Sequence, residues 1–218
     1  MKGLTHLNGM AKHVADKARP SIPLNPTLEQ LQKAAKNCRA CDLYRNATQT
    51  VFGAGAAHPK IMFVGEQPGN QEDLEGKPFV GPAGKLLDTA LEEAGIDRSA
   101  TYVTNAVKHF KWEPRGKRHI HKKPNAAEIA ACRPWLEAEI AALKPQVIVC
   151  LGATAAQALL GRQFRVTQHR GELMKSSLAP FIMATVHPSS ILRAPDDETR
   201  HSEMQRFIED LRGLKKFV

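Results

Sequence analysis

Four short strand-like runs, of which Thr101–Asn105 is the most polar, constrain this chain more than any other feature. Ile61–Val64, Thr101–Asn105, Gln146–Leu151 and Phe181–Val186 are separated by segments with apolar residues at helical spacing. Those segments are Gly84–Ala94, ended by Gly95, the stretch from Asn125 to Leu143, Ala153–Leu160 and Asp196–Leu214. Unalternated apolar runs of this length suit strands buried on both faces. Their alternation with helices predicts an α/β fold with a mostly parallel four-stranded sheet, joined by right-handed crossovers. Arg170–Met174 reads as a short extra strand, and Phe110–Pro124 as a strongly basic loop. The strand ends at Gly65, Asn105, Gly152 and His187 then open onto one edge, where open α/β sheets place their ligands.

The 218 residues suit one such domain with a tail. Residues 1–26, poor in large apolar side chains, read as a flexible N-terminal tail, and 27–218 as a single domain. Thr27 is placed to cap a helix through Leu28, Leu31 and Ala35, with Gln30 as its capping-box partner. No run of about 18 apolar residues offers a membrane span, and no secretory signal pattern is present. A cytoplasmic, intracellular monomer is expected. The formal charge of +9 and pI near 9.5 favour a polyanionic partner.

Between the first strand and the next helix lies Gly65–Gly84, GEQPGNQEDLEGKPFVGPAG. Gly65 and Gly69 permit close backbone approach, and Pro68 stiffens the turn between them. Glu66, Gln67, Glu72 and Asp73 supply acceptors, and Phe79 a flat apolar face. The glycine spacing is neither that of a P-loop nor that of a dinucleotide site. An ordinary surface loop carries the same turn residues.

Cys38 and Cys41 form a CxxC pair, with Cys132 and Cys150 far downstream. Four thiolates suit a zinc site or a [4Fe–4S] cluster equally well, and spacing does not choose between them. With no sign of secretion, disulfides fit less well. Cys150, at the apolar end of a strand, also reads as a core thiol.

Gly65-Glu66-Gln67-Pro68-Gly69, Lys77–Gly84, Tyr102-Val103-Thr104-Asn105 and His187-Pro188-Ser189-Ser190 stand in this order. With the cysteine set, they resemble the family-4-like uracil-DNA glycosylases, from about Cys38 to the C-terminal helix. Glutamine third in the first motif, and Lys117-Arg118-His119-Ile120-His121, resemble the UdgX branch. The resemblance implies an α/β/α sandwich, a [4Fe–4S] cluster on Cys38, Cys41, Cys132 and Cys150, and uracil-containing DNA as substrate in DNA repair. It further implies that His121 becomes joined to the abasic sugar, making the enzyme single-turnover. His119 stands where the branch has arginine, and imidazole cannot reproduce the fixed charge or fork of guanidinium.

On this reading uracil is flipped out or taken from single-stranded DNA, the expected preference, and stacks on Phe79. Asn105 reads its O4/N3–H edge, with Gln67 and Asp73 also binding substrate. His187 donates to O2 as the base departs, favouring the negative charge that develops. His121 attacks C1′ ahead of water, oriented by Glu66 accepting its other N–H. Lys117 and Arg118, with loop backbone at Ser189 and Ser190, grip phosphate. Without the family, Asn105 reads as a turn residue, Phe79 as a core aromatic and Lys117–His121 as a solvated basic loop. Two alternatives stand beside the trap: a conventional turnover glycosylase, and an inactive metal-containing nucleic-acid-binding module.

Overall fold

The computed structural model describes residues 20–218. Of the expected tail, residues 1–19 lie outside the described residues, whereas Ile22 packs against the core. Helix α1 (Leu28–Ala35) starts at Thr27, whose side chain and that of Gln30 form the reciprocal cap. The two-residue strand β1 (Ala54–Gly55) and strand β2 (Ile61–Gly65) follow, then the short helix α2 (Asn70–Glu75) inside the glycine-rich stretch. Helix α3 (Pro82–Glu93) begins with proline in its first turn, where no backbone N–H is missed.

Strand β3 (Tyr102–Asn105) is followed by β4 (Trp112–Arg115) and β5 (Arg118–His121), which pair antiparallel as a separate hairpin. The segment expected as a loop is thus ordered by a two-residue turn. Gly116, at φ +59°, stands first in that turn, and glycine there matches the twist of the flanking strands. Helix α4 (Ala126–Leu143) is capped by Asn125. Strand β6 (Val147–Leu151), helices α5 (Ala153–Leu160) and α6 (Val166–His169), strand β7 (Phe181–Thr185), and helices α7 (Pro188–Leu192) and α8 (Asp197–Arg212) complete the chain.

The main sheet has the order β1-β3-β2-β6-β7. Its last four members are parallel, as expected, while β1 adds a fifth, antiparallel strand at the edge. Arg170–Met174 is not a strand: only single bridges join Arg170 to Ala184 and Met174 to Ile182. Alternate residues of each strand enter opposite layers. Ile61, Phe63, Val103, Val149 and Met183 pack with Leu87, Leu91, Phe207 and Leu211 of α3 and α8. Met62, Val64, Ile148, Cys150 and Ile182 pack with Leu136, Ile140, Ala155 and Leu159 of α4 and α5. The result is an α/β/α sandwich. A third cluster, with Leu31, Phe52, Cys132 and Trp135, joins α1 to α4.

Beneath β3 lies a buried charge network. Glu139 pairs with the Lys108 ammonium, and accepts from Tyr102 Oη at 2.9 Å, Thr104 Oγ1 at 3.0 Å and Gly53 N at 3.2 Å. Lys108 Nζ also donates to the Asn105 carbonyl at 2.8 Å. Such a pair is tolerated in the interior because every polar atom is matched. It anchors the strand end that carries Asn105.

Candidate active site

The chain leaves β2 towards β3 on one side, while β6 flanks β2 on the other. The divergence of their exits opens a crevice at the carboxyl ends. A cleft of about 840 Å³ lies there, lined by Glu66, Gln67, Phe79, Asn105, His121, Thr154 and His187 among others. Gly65 makes room for it. A Cβ at Gly65 would run into Asn105 Oδ1 and come within 2.8 Å of the Phe79 ring. Phe79 adopts φ +57°, a left-handed conformation rare for a bulky residue. Its ring is thereby held, mostly buried, at the cleft wall. Asn105 is buried at the end of β3, and among the described residues its carboxamide has no hydrogen-bond partner. A free donor and acceptor therefore face the cleft beside an aromatic wall.

His187, just beyond β7, faces the same space. Its Nδ1 accepts from Ser189 Oγ at 2.8 Å and from Ser189 N at 3.1 Å. Two donors on Nδ1 leave the ring proton on Nε2. Burial, with Arg193 and His121 nearby, pushes the His187 pKa down to about 4. The ring is therefore a neutral N–H donor at physiological pH. Ser190 Oγ donates to the His187 carbonyl at 2.7 Å, and Ser190 N to the same carbonyl at 2.8 Å. Ser189 and Ser190, expected to offer loop backbone to phosphate, hydrogen-bond His187 in this structure. Their amides and hydroxyls help to position His187.

Strand β5 brings His121 to the opposite rim. Its Nε2 lies 2.9 Å from Gln67 Nε2 and 3.7 Å from Glu66 Oε1. Gln67 is oriented without ambiguity, since its Oε1 accepts from Lys111 N at 3.1 Å while its Nε2 donates to the Lys111 and Lys122 carbonyls. Both amide hydrogens are directed at those carbonyls, so His121 Nε2 lies in close contact with the Gln67 amide nitrogen at the base of the hairpin. The Gln67 side chain clamps the base of the hairpin while the residue lines the cleft, and Glu66 Oε1 lies beyond direct hydrogen-bond reach of His121. Burial lowers the His121 pKa, against the raising effect of Glu66 and with that of Arg193. The Thr154 hydroxyl, on the first turn of α5, donates a short hydrogen bond to Glu66 Oε2.

Asp73 points elsewhere. Its carboxylate accepts from Thr48 N at 2.9 and 3.1 Å, fastening the loop before β1, and it does not line the cleft. The acceptor that serves the cleft is Glu72, which binds Gly69 N and Gly81 N. Lys117 and Arg118 are exposed at the hairpin turn, away from the cleft. The rim cations are Lys123 and Arg193. Lys123 falls within the stretch expected as a basic loop, whereas Arg193 and Thr154 carry no signal of a site in the sequence. Thr154 was legible there only as part of a helix start after Gly152.

The four thiols do not meet. Cys41 and Cys132 share a cluster with partly buried Cys38 against α1 and α4. Cys38 Sγ accepts from Trp135 Nε1 at 3.1 Å, and Cys132 Sγ from Lys108 N at 3.2 Å. The charges of Cys41 and Cys38 reach Cys132. Cys150 lies on the sheet face among Val64, Ala155 and Ala184, and burial alone pushes its thiol up to about 12. The expected four-cysteine set is therefore corrected to three, with Cys150 a core thiol. A further donor, His109, is buried and follows Lys108, whose N–H binds Cys132 Sγ. Its Nε2 bonds Thr50 Oγ1 at 3.0 Å, and that hydroxyl donates to the Ala35 carbonyl, which also receives Cys38 N. Among the described residues, no three His, Cys, Asp or Glu side chains converge tightly enough for a single metal ion.

Residues 52–212 match the family model for the uracil DNA glycosylase superfamily. The chain is 38% identical over 193 residues to the type-4 uracil-DNA glycosylase of Thermotoga maritima, covering 88% of this chain and 94% of that one. It is 34% identical to the type-4 uracil-DNA glycosylase of Archaeoglobus fulgidus, covering 87% and 96%. The type-5 uracil-DNA glycosylase of Pyrobaculum aerophilum is 31% identical, covering 76% and 77%.

Proposed function

The chain belongs to the uracil DNA glycosylase superfamily, and we propose that it excises uracil from DNA and is then trapped on the abasic sugar through His121. The observation that carries the trapping step is the imidazole on the cleft rim, held on a hairpin clamped by Gln67 and favoured in its neutral form by burial. Uracil on Phe79 would present O4 and N3–H to the unpartnered Asn105 carboxamide. Cytosine has an amino group in place of O4, and would leave the amide nitrogen facing another donor.

Cleavage of the C1′–N1 bond sends its electron pair out with uracil. The His187 Nε2–H meets the charge developing at O2, a preorganised donor of the kind whose removal costs about 10²–10³ in rate. Glu66 offsets the positive charge growing on the sugar. His121 Nε2 then forms the bond to C1′, and the resulting imidazolium releases its Nδ1 proton to solvent. Proximity favours the ring over water, since well-oriented groups reach effective molarities of about 10⁵ M or more. The single-stranded preference follows from the absent cost of unpairing.

A [4Fe–4S] cluster is the cofactor assigned to the thiol pocket, with Cys38, Cys41, Cys132 and, as fourth donor, His109. Imidazole in a mixed thiolate set is an accepted ligand for iron–sulfur centres. Bound there, it would tie the chain after α1 to α4.

The test is denaturing electrophoresis with uracil-containing single-stranded DNA, with free uracil measured alongside. A shift that survives heat and SDS, and is lost in His121→Ser while uracil is still released, is expected. Free uracil with alkali-labile DNA and no adduct from the unaltered protein would instead establish the turnover enzyme. DNA binding with no uracil released would leave only a binding module.

A further inference from the structure

Strands β4 and β5 pair only with one another, and most of their residues are exposed. What keeps this hairpin against the body is a small set of side-chain contacts. At its base, Gln67 holds Lys111 and Lys122. Further out, Trp112 Nε1 donates to the Asn46 carbonyl at 2.9 Å. The His119 ring lies on the indole of Trp112, centroids 3.6 Å apart and planes 18° from parallel. Its Nδ1 is 3.1 Å from Asn70 Oδ1, at the start of α2. Helix α2 is itself fixed by Glu72, which binds Gly69 N and Gly81 N on either side. A continuous strap therefore runs from Asn46 through Trp112 and His119 to Asn70, the last two lining the cleft.

Residues two apart on a strand share a face, and a one-residue slip turns every side chain over. His119 and His121 are two apart on β5 and both line the cleft. Fastening His119 thus decides which way His121 points. We infer that His119 is a positioning residue, latching the hairpin to Asn70 so that His121 stays at the anomeric carbon while the sugar cation lives. A planar ring that stacks on Trp112 and donates to Asn70 does here what arginine would do by stacking and forking. The inference rests on the trapping reading above.

The measurement is the ratio of covalent adduct to free abasic DNA, taken together with the rate of uracil release. Once uracil has left, that ratio reports only how the cation divides between His121 and water. His119→Ala is expected to lower it about two- to tenfold, the range of a lost aromatic stack, with uracil release unchanged. Asn70→Ala should lower it as well, the double variant should fall little further than His119→Ala, and His119→Arg should retain it. A ratio unchanged in both alanine variants overturns the latch, as does release falling in step with adduct. Free abasic DNA without adduct from the unaltered protein overturns the trapping reading itself, and the latch with it.

Discussion

Replacing Thr154 by valine removes one hydroxyl and little else. Thr154 is buried on α5, and its hydroxyl donates to Glu66 Oε2, leaving Oε1 turned towards His121 at 3.7 Å. Valine keeps the shape and the β-branch, so the helix and its packing on β2 are retained. Hydrogen bonds to charged groups contribute about 1.5–3 kcal/mol net. The Glu66 side chain is 22% exposed, so water replaces part of the lost donor and the lower end applies. About 1.5 kcal/mol corresponds to roughly tenfold in rate. The carboxylate then samples rotamers that no longer face the sugar, and charge stabilisation in the transition state suffers. Single-turnover uracil release from single-stranded DNA should therefore slow about tenfold in Thr154→Val. Thr154→Ser, which restores the donor, should recover most of the loss. A melting curve confirms that the fold is intact. Wild-type release in Thr154→Val would refute the role given to Glu66, because an unheld carboxylate would then serve as well as a held one.

Asn105→Asp keeps the shape of the recognition group but sets an acceptor against uracil O4. Single-turnover uracil release should slow about a hundredfold, read as free uracil against time. Because burial lowers the His121 pKa, the nucleophilic neutral ring persists below the free value of about 6.5. Adduct formation should therefore hold its rate from neutral pH down past that value, and decline only as the ring gains its proton. A midpoint at or above the free value would contradict the buried setting. Among the cysteines, Cys132→Ser should lose bound iron, while Cys150→Ser should retain it. Iron content and visible absorption of the purified variants decide this.

Much of the frame is legible from local chemistry. Strands β2, β6 and β7 fall within a residue or so of the apolar runs, because a strand buried on both faces favours apolar side chains, and β3 falls within a residue of Thr101–Asn105. Thr27 with Gln30, and Asn125 with Glu128, satisfy the first amides of their helices within four residues of chain, so these starts depend on nothing distant. The loops at Gly65, Asn105, Gly152 and His187 converge because parallel strands all end on one side.

Other features depend on which face and which neighbour a residue meets. Cys150 and the CxxC pair are equally cysteine in sequence, yet the pleat turns Cys150 into the sheet core and away from the trio. Asp73 and Glu72 are adjacent acids, and one helical step sends the first to Thr48 and the second to the cleft loops. The basic stretch became a hairpin once Gln67, 44 residues before Lys111, could hold its base. Periodicity and capping determined the elements, since those forces act within a turn or a pleat. The partners of His121, Glu66 and His187 were decided by tertiary structure, since hydrogen bonds between distant segments exist only after the sheet has set their distance.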